Sequence, residues 1–286
     1  MKNSSNIFQY YLYQDSRPHR GKTKPIQKGL VISRDSGKAD LSEEGVGFGV
    51  PILQYRRDFY FSGKSTVSNQ GLIQCDWCWK KFYMNLIERE QFMANKIQLF
   101  SWVIQRIYNL LYLKGLRVPF GPLSRLFSGG KTSKDQKLIP MFFHVRDRGF
   151  ITTTYNINRE LDLVTVELDF SNVVRENLQN IFVSTELGGN IFTHYFDSTG
   201  LKLSRKDIGE WNEVKADWAI FYSPDIDLGF KIDIPASTQI FRGREIIGDG
   251  DICWSGFIFK LKPNVSKFGY SILLGRRAYL YNSISE

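Results

Sequence analysis

The chain is expected to be mainly β and to fold as a large antiparallel β-sandwich, and three observations carry that expectation. From about residue 137 to the C-terminus, short runs of β-branched and aromatic residues follow one another, at 141–145, 163–168, 180–185 and 251–259. Each run is bounded by Gly, Asn, Asp or Pro, the pattern of short strands separated by turns. Aromatic residues make up 15% of the 286 residues, an amount that sheet-packed cores and stacking surfaces both call for. We expect one large β domain over 41–286, interrupted by a helix and loop insertion at about 95–136 and preceded by an extended basic leader over 1–40.

Taken in order, the leader is polar and carries part of the formal net charge of +9. Arg17, Arg20, Lys22 and Lys24 fall close together there, with His19 and Lys28, and are the candidate polyanion-binding residues. Such an arm can hold phosphates by releasing counterions, although a solvated leader that merely adds charge accounts for the same residues. Phe8, Tyr10, Tyr11 and Tyr13 could dock as an edge strand on the main body. No long apolar run follows the first residues, so no secretory signal is expected. Three cysteines, Cys75, Cys78 and Cys253, do not make a disulfide framework, and a reducing cytoplasm is the simplest setting.

Beyond the leader, 52–55 and 58–62 read as two strands with Arg56 and Arg57 at their turn. The glycines at 45, 47 and 49 resemble a dinucleotide loop only in spacing. A Pro and another strand follow them instead of a helix, so a bulge or a close backbone approach is the better reading. Ile97, Phe100, Val103, Ile104, Ile107, Leu110 and Leu111 repeat at helical spacing, and Gly115 provides a stop. Gln105, Arg106 and Asn109 in the middle of that helix argue for a buried amphipathic element and against a membrane span. A breaker-rich loop follows over 119–135.

Several motifs fail on inspection. The Gly130-Lys131-Thr132 segment lacks the earlier glycine of a phosphate loop, since Arg125 stands there. Cys75 and Cys78 have the spacing of one half of a zinc site, with no second pair, and on a strand they point to opposite faces. Gly248-Asp249-Gly250-Asp251 lacks the later Glu of a calcium loop and fits a hairpin turn. No metal and no cofactor is called for.

The densest chemistry lies in 184–197, read as two strands joined at Gly188-Gly189 into a hairpin carrying Glu186, His194 and Asp197. A carboxylate and an imidazole a few ångströms apart can exchange protons at neutral pH. A three-residue loop would put Glu186 and His194 on one face and a four-residue loop on opposite faces. His144 and Arg146, from a second His-containing strand, could join the same concavity. Trp211, Trp218 and Tyr195, with Asp197, are candidate ligand-binding residues. Aromatic rings can stack on sugar C–H faces while polar groups bind hydroxyls. Tyr222 and Trp254 belong to the same aromatic set, and a tryptophan in a strand serves the core equally well.

The order of these features over residues 137–286 resembles the galactose-mutarotase-like β-supersandwich superfamily. The residues concerned are 185–190 with 194–197, then Phe221-Tyr222-Ser223-Pro224, 228–232 and Trp254-Ser255-Gly256-Phe257. The resemblance implies a Glu base and a His acid acting on a sugar, roles for which Glu186 and either His194 or His144 are the matching residues. The leading expectation is therefore a carbohydrate or sugar-derivative binding protein, with or without epimerase- or lyase-like chemistry. Its partner would be a small molecule or an oligosaccharide. A nucleic-acid or polyanion binder using the basic arm with Tyr60, Trp77 and Trp79 is an alternative of another class. An interaction protein docking through the 95–114 helix is a third.

Overall fold

Strands dominate the architecture because β-branched and aromatic side chains pack well on a pleated surface. The structure, a computed structural model, describes residues 8–12, 29–34, 39–42, 46–56, 58–69, 73–86, 138–144, 148–209, 211–236, 238–247 and 252–282. In 39–40, 58–59, 61–69, 73–86, 138–144, 245–247, 252 and 282 it describes the backbone alone. In chain order the strands begin with β1 (Phe8–Leu12), β2 (Leu30–Arg34), β3 (Ala39–Asp40), β4 (Gly47–Tyr55), β5 (Asp58–Asn69) and β6 (Ile73–Leu86). They continue with β7 (Leu138–His144), β8 (Ile151–Asn158), β9 (Leu163–Asp169), β10 (Leu178–Gly188), β11 (His194–Asp197) and β12 (Lys202–Leu203). The last are β13 (Asn212–Glu213), β14 (Trp218–Ser223), β15 (Leu228–Asp233), β16 (Gln239–Ile247), β17 (Ile252–Leu261) and β18 (Lys267–Gly275), followed by the helix α1 (Arg277–Asn282).

Among the described residues these strands form two antiparallel sheets of seven strands, a β-sandwich. Sheet I runs β12-β11-β14-β15-β18-β9-β8. Sheet II runs β13-β16-β17-β10-β4-β5-β6. β6 joins the two: its residues 73–77 pair with β8, while 80–86 pair with β7. β1, β2 and β3 form a small flap, tied to β4 through Leu30↔Phe48.

The core lies between the sheets and is largely aromatic. Phe221 on β14, Phe230 on β15 and Phe257 on β17 are fully buried and meet at centroid distances of 4.9 to 5.8 Å across the two sheets. Burying each such ring contributes about 2–3 kcal/mol relative to exposure. Phe48 and Phe192 extend the cluster to Phe230. Two polar contacts inside the core are hydrogen-bonded pairs, which offsets the cost of taking these groups out of water. The Thr185 hydroxyl bonds the Tyr270 hydroxyl between the sheets, and Tyr155 donates to Phe48 O at 2.7 Å. On β4, Phe48 and Gly49 together stand opposite Thr185, because the pairing shifts between Ser184↔Val50 and Glu186↔Gly47. This bulge bears out the close approach expected of the glycines: Gly49 has φ +74°, and a Cβ there would lie 2.8 Å from Val166.

The hairpin expected at 52–62 is present, with Tyr55↔Asp58 closing it and Arg56 at φ 55°. The extended basic leader expected over 1–40 contributes to the fold where it is described: Phe8, Leu30 and Ile32 are buried in the core, with β1 docked on β2 as a strand. One expectation needs correction: 184–197 is not a hairpin. β10 pairs with β4 and β17 in sheet II, while β11 pairs with β12 and β14 in sheet I. The helix expected over 95–114, the Gly130-Lys131-Thr132 segment and Arg17, Arg20, Lys22 and Lys24 lie outside the described residues. No helix among those described is long and apolar enough to cross a membrane.

Candidate functional site

Strand alternation decides which side chains can meet a ligand. On β10, Val183, Thr185 and Leu187 point into the core, so Ser184 and Glu186 point outward from sheet II. On β17 the inward set is Phe257 and Phe259, so Trp254, Gly256 and Ile258 share the outer face with Glu186. The register continues across β16, where Gly243 stands beside Gly256 and Phe241 beside Ile258. One row therefore reads Glu186, Gly256, Gly243 across three strands. The indole of Trp211 rests on its last member: a Cβ on Gly243 would lie 2.8 Å from the Trp211 ring. Trp254 flanks the row on one side, Ile258 and Phe241 on the other. All three, like Trp211, are half-buried.

Both glycines are positions the packing demands. At Gly256 a Cβ would come within 2.1 Å of Thr185 O, and at Gly243 the indole already occupies the space. A glycine inside a strand marks such a close approach, and here two of them leave the carboxylate and the indole about two strand spacings apart, ~10 Å. Glu186 itself is only 6% exposed, and Ser184 Oγ donates to its Oε1 at 2.5 Å. A buried acceptor held in this way is fixed in orientation. The arrangement offers a placed carboxylate among apolar rings, which can accept hydroxyl hydrogen bonds while the rings pack on carbon faces.

His194 is not part of this face. Its neighbour Tyr195 points into the core against Phe221 and Phe257, so His194 points outward from sheet I, beside Tyr222. Both sheets, ~10 Å apart, lie between Glu186 and His194. Thr193 Oγ1 and His194 Nδ1 are 3.0 Å apart. Tyr195 donates to Asp197 Oδ2 at 2.7 Å and is 1% exposed, and burial, then Asp197, hold its hydroxyl well above the usual tyrosine range. Asp197 also accepts from Thr199 N and Oγ1, closing the turn after β11. The polar atoms of these two residues are engaged with each other and with the turn after β11. Trp218 packs edge-on against Phe196 outside sheet I. Of Trp211, Trp218 and Tyr195, Trp211 shares a face with Glu186, as does Trp254 of the wider aromatic set. His144 ends β7, where only the backbone is described, and Arg146 lies outside the described residues.

Over β11, β14 and β15, the outer face of sheet I is occupied by the protein's own residues. Phe196, Ile220 and Tyr222 are buried there beneath Leu280 of α1, and Phe196 stacks on Tyr281 at 5.0 Å. Among the described residues, no group of three or more His, Cys, Asp or Glu could hold a metal ion.

Sequence reasoning missed the Glu186–Gly256–Gly243 row, although two glycines inside apolar strand runs were the available signal. It also passed over Arg205, Arg242 and Arg244, described below.

No protein-family model matches the chain, and no curated protein does. Two solved structures of the α-N-acetylgalactosaminidase NagBb from Bifidobacterium bifidum, in complex with GalNAc and with Gal-NHAc-DNJ, resemble it distantly. The first aligns at 8% identity and a TM-score of 0.46, the second at 10% and 0.43. Each alignment covers 99% of this chain and 39% of the enzyme, so the chain spans well under half the length of the proteins it resembles. A likeness of this size does not bear on the chemistry of this chain.

Proposed function

We propose that the protein binds a carbohydrate or sugar derivative on the outer face of sheet II. The supporting observation is the row Glu186, Gly256, Gly243: a carboxylate fixed by Ser184 at one end, the Trp211 indole on Gly243 at the other, and Trp254 alongside. This is the composition of a site that fixes orientation with a few polar groups on an apolar floor. Glu186 acts as a hydroxyl acceptor, and Trp254 and Trp211 supply ring surface. Glu186 and His194 lie on opposite outer faces, and the reading is one of binding without a proton relay between them.

The test is titration calorimetry of the full chain against a panel of neutral mono- and oligosaccharides. Glu186→Gln and Trp254→Ala are each expected to weaken binding by about tenfold or more, the size of a charge-assisted hydrogen bond or a stacked ring. Trp218→Ala, on the other sheet, should leave affinity unchanged. Equal affinity in all four proteins would refute the proposal, as would binding that collapses with rising salt, the mark of a polyanion ligand.

A further inference from the structure

A second feature lies on the inward side of β16 and does not depend on the carbohydrate reading. Arg244 is level with Ser255, whose hydroxyl donates to Phe192 O at 2.8 Å inside the sandwich. Arg244 therefore points inward, at the end of the core, and is nine-tenths buried. Its Nε donates to Gly189 O at 2.9 Å, and its backbone N–H to Gly209 O at 2.9 Å. Arg205, exposed on the loop before Gly209, donates through Nη2 to Asn190 Oδ1 at 2.7 Å. The two guanidinium groups thus bind consecutive residues of the crossover between β10 and β11. Arg242 supports the same corner, donating to Ile208 O at 2.6 Å with its guanidinium 4.8 Å over the Tyr195 ring.

Charge is what this corner lacks. Among the described residues, neither Arg205 nor Arg244 has a carboxylate within ion-pairing distance, whereas Lys231 is paired with Asp233 at 3.1 Å. Asp207 on the same loop accepts from Ser204, and Asp197 from Tyr195 and Thr199. Burial is the main influence that holds Arg244 below the usual arginine range; Cys253 acts against it and Arg205 with it. Arginine does not give up its proton in proteins, so the buried Arg244 keeps its charge, and an anion at this corner would offset the cost of desolvating it.

We propose that Arg244 and Arg205 form a binding site for a phosphate group, presented as free phosphate or as a phosphomonoester of a sugar. Arg244 is the fixed floor, and Arg205 closes on the ligand from solvent. Paired guanidinium groups match phosphate oxygens bidentately.

The experiment is calorimetry of the full chain with inorganic phosphate and with a hexose phosphate, at constant ionic strength. Arg205→Gln, at an exposed position, should keep the melting temperature and lose about tenfold or more in phosphate affinity, as expected for a charged hydrogen bond. Arg244→Lys should also weaken binding, since lysine cannot reproduce the fork. Lys262→Gln, an exposed lysine on another turn, should bind as the native protein does. Tighter binding of the ester identifies a sugar phosphate as the ligand, and equal binding identifies free phosphate. Undetectable phosphate binding overturns the proposal. Equal affinity in Arg205→Gln and the native chain, or an equal loss in Lys262→Gln, also overturns it.

Discussion

The two outer faces of this sandwich are built on the same strand lattice and carry different groups. Outside sheet I the chain covers its own surface: α1 returns over β14 and β15, Leu280 is fully buried, and Tyr281 stacks on Phe196. Outside sheet II the same kind of position carries Glu186, held by Ser184, with Trp254 and Trp211 on the same face. Apolar residues outside a sheet are thus not enough to mark a ligand face. What separates the two is the oriented carboxylate on one and the protein's own helix on the other.

That contrast can be broken at several depths. Phe257→Ala, in the core that both sheets share, should cost about 3–5 kcal/mol. Denaturant unfolding monitored by tryptophan fluorescence would read the loss as one cooperative transition for both faces. Leu280→Ala should cost less, about 2–4 kcal/mol, and should act on sheet I. Amide exchange should then quicken in α1, β14 and β15 while sugar binding by sheet II is retained; loss of that binding would mean the faces are coupled.

The smallest effect is one of pH. Burial, then the hydrogen bond to Asp227, raise the Tyr222 hydroxyl from 10.0 to about 12. A pKa higher in the folded than in the unfolded chain contributes stability that is intact below 10 and is lost as pH rises through about 12. Tyr55, raised to about 12 chiefly by burial, shares that window. Tyr222→Phe should therefore flatten part, but not all, of the alkaline decline in melting temperature. An identical alkaline profile in the variant would show that Tyr222 is not held protonated by the fold.

Much of the strand pattern was legible because it is local. The runs at 163–168, 180–185 and 251–259 became β9, β10 and β17, and the Arg56 turn was readable from its flanking strands. The pairing was not legible. Gly188-Gly189 between two apolar runs reads as a hairpin turn, yet nothing local says which sheet the next strand joins. That choice belongs to Val50 and Ile258, the distant partners of Ser184. The site suffered for the same reason, since Gly243, Gly256 and Glu186 become a row only through that register. On β16 the inward parity passes from Ile240 to Arg242 and Arg244. Alternation predicts polar residues outside, so the pattern favours the wrong face for these two arginines, which the 204–209 loop and the crossover carbonyls turn inward.

The sheets' terminal strands bear on how copies of this chain meet one another. β12 and β13, which end sheets I and II, are two residues each and pair with only part of β11 and β16. Lys202, Asn212 and Glu213 on them are exposed. Short, charged strands make a poor template for another molecule's backbone, so these two edges disfavour the strand-to-strand stacking that leads a β-rich protein towards fibrils.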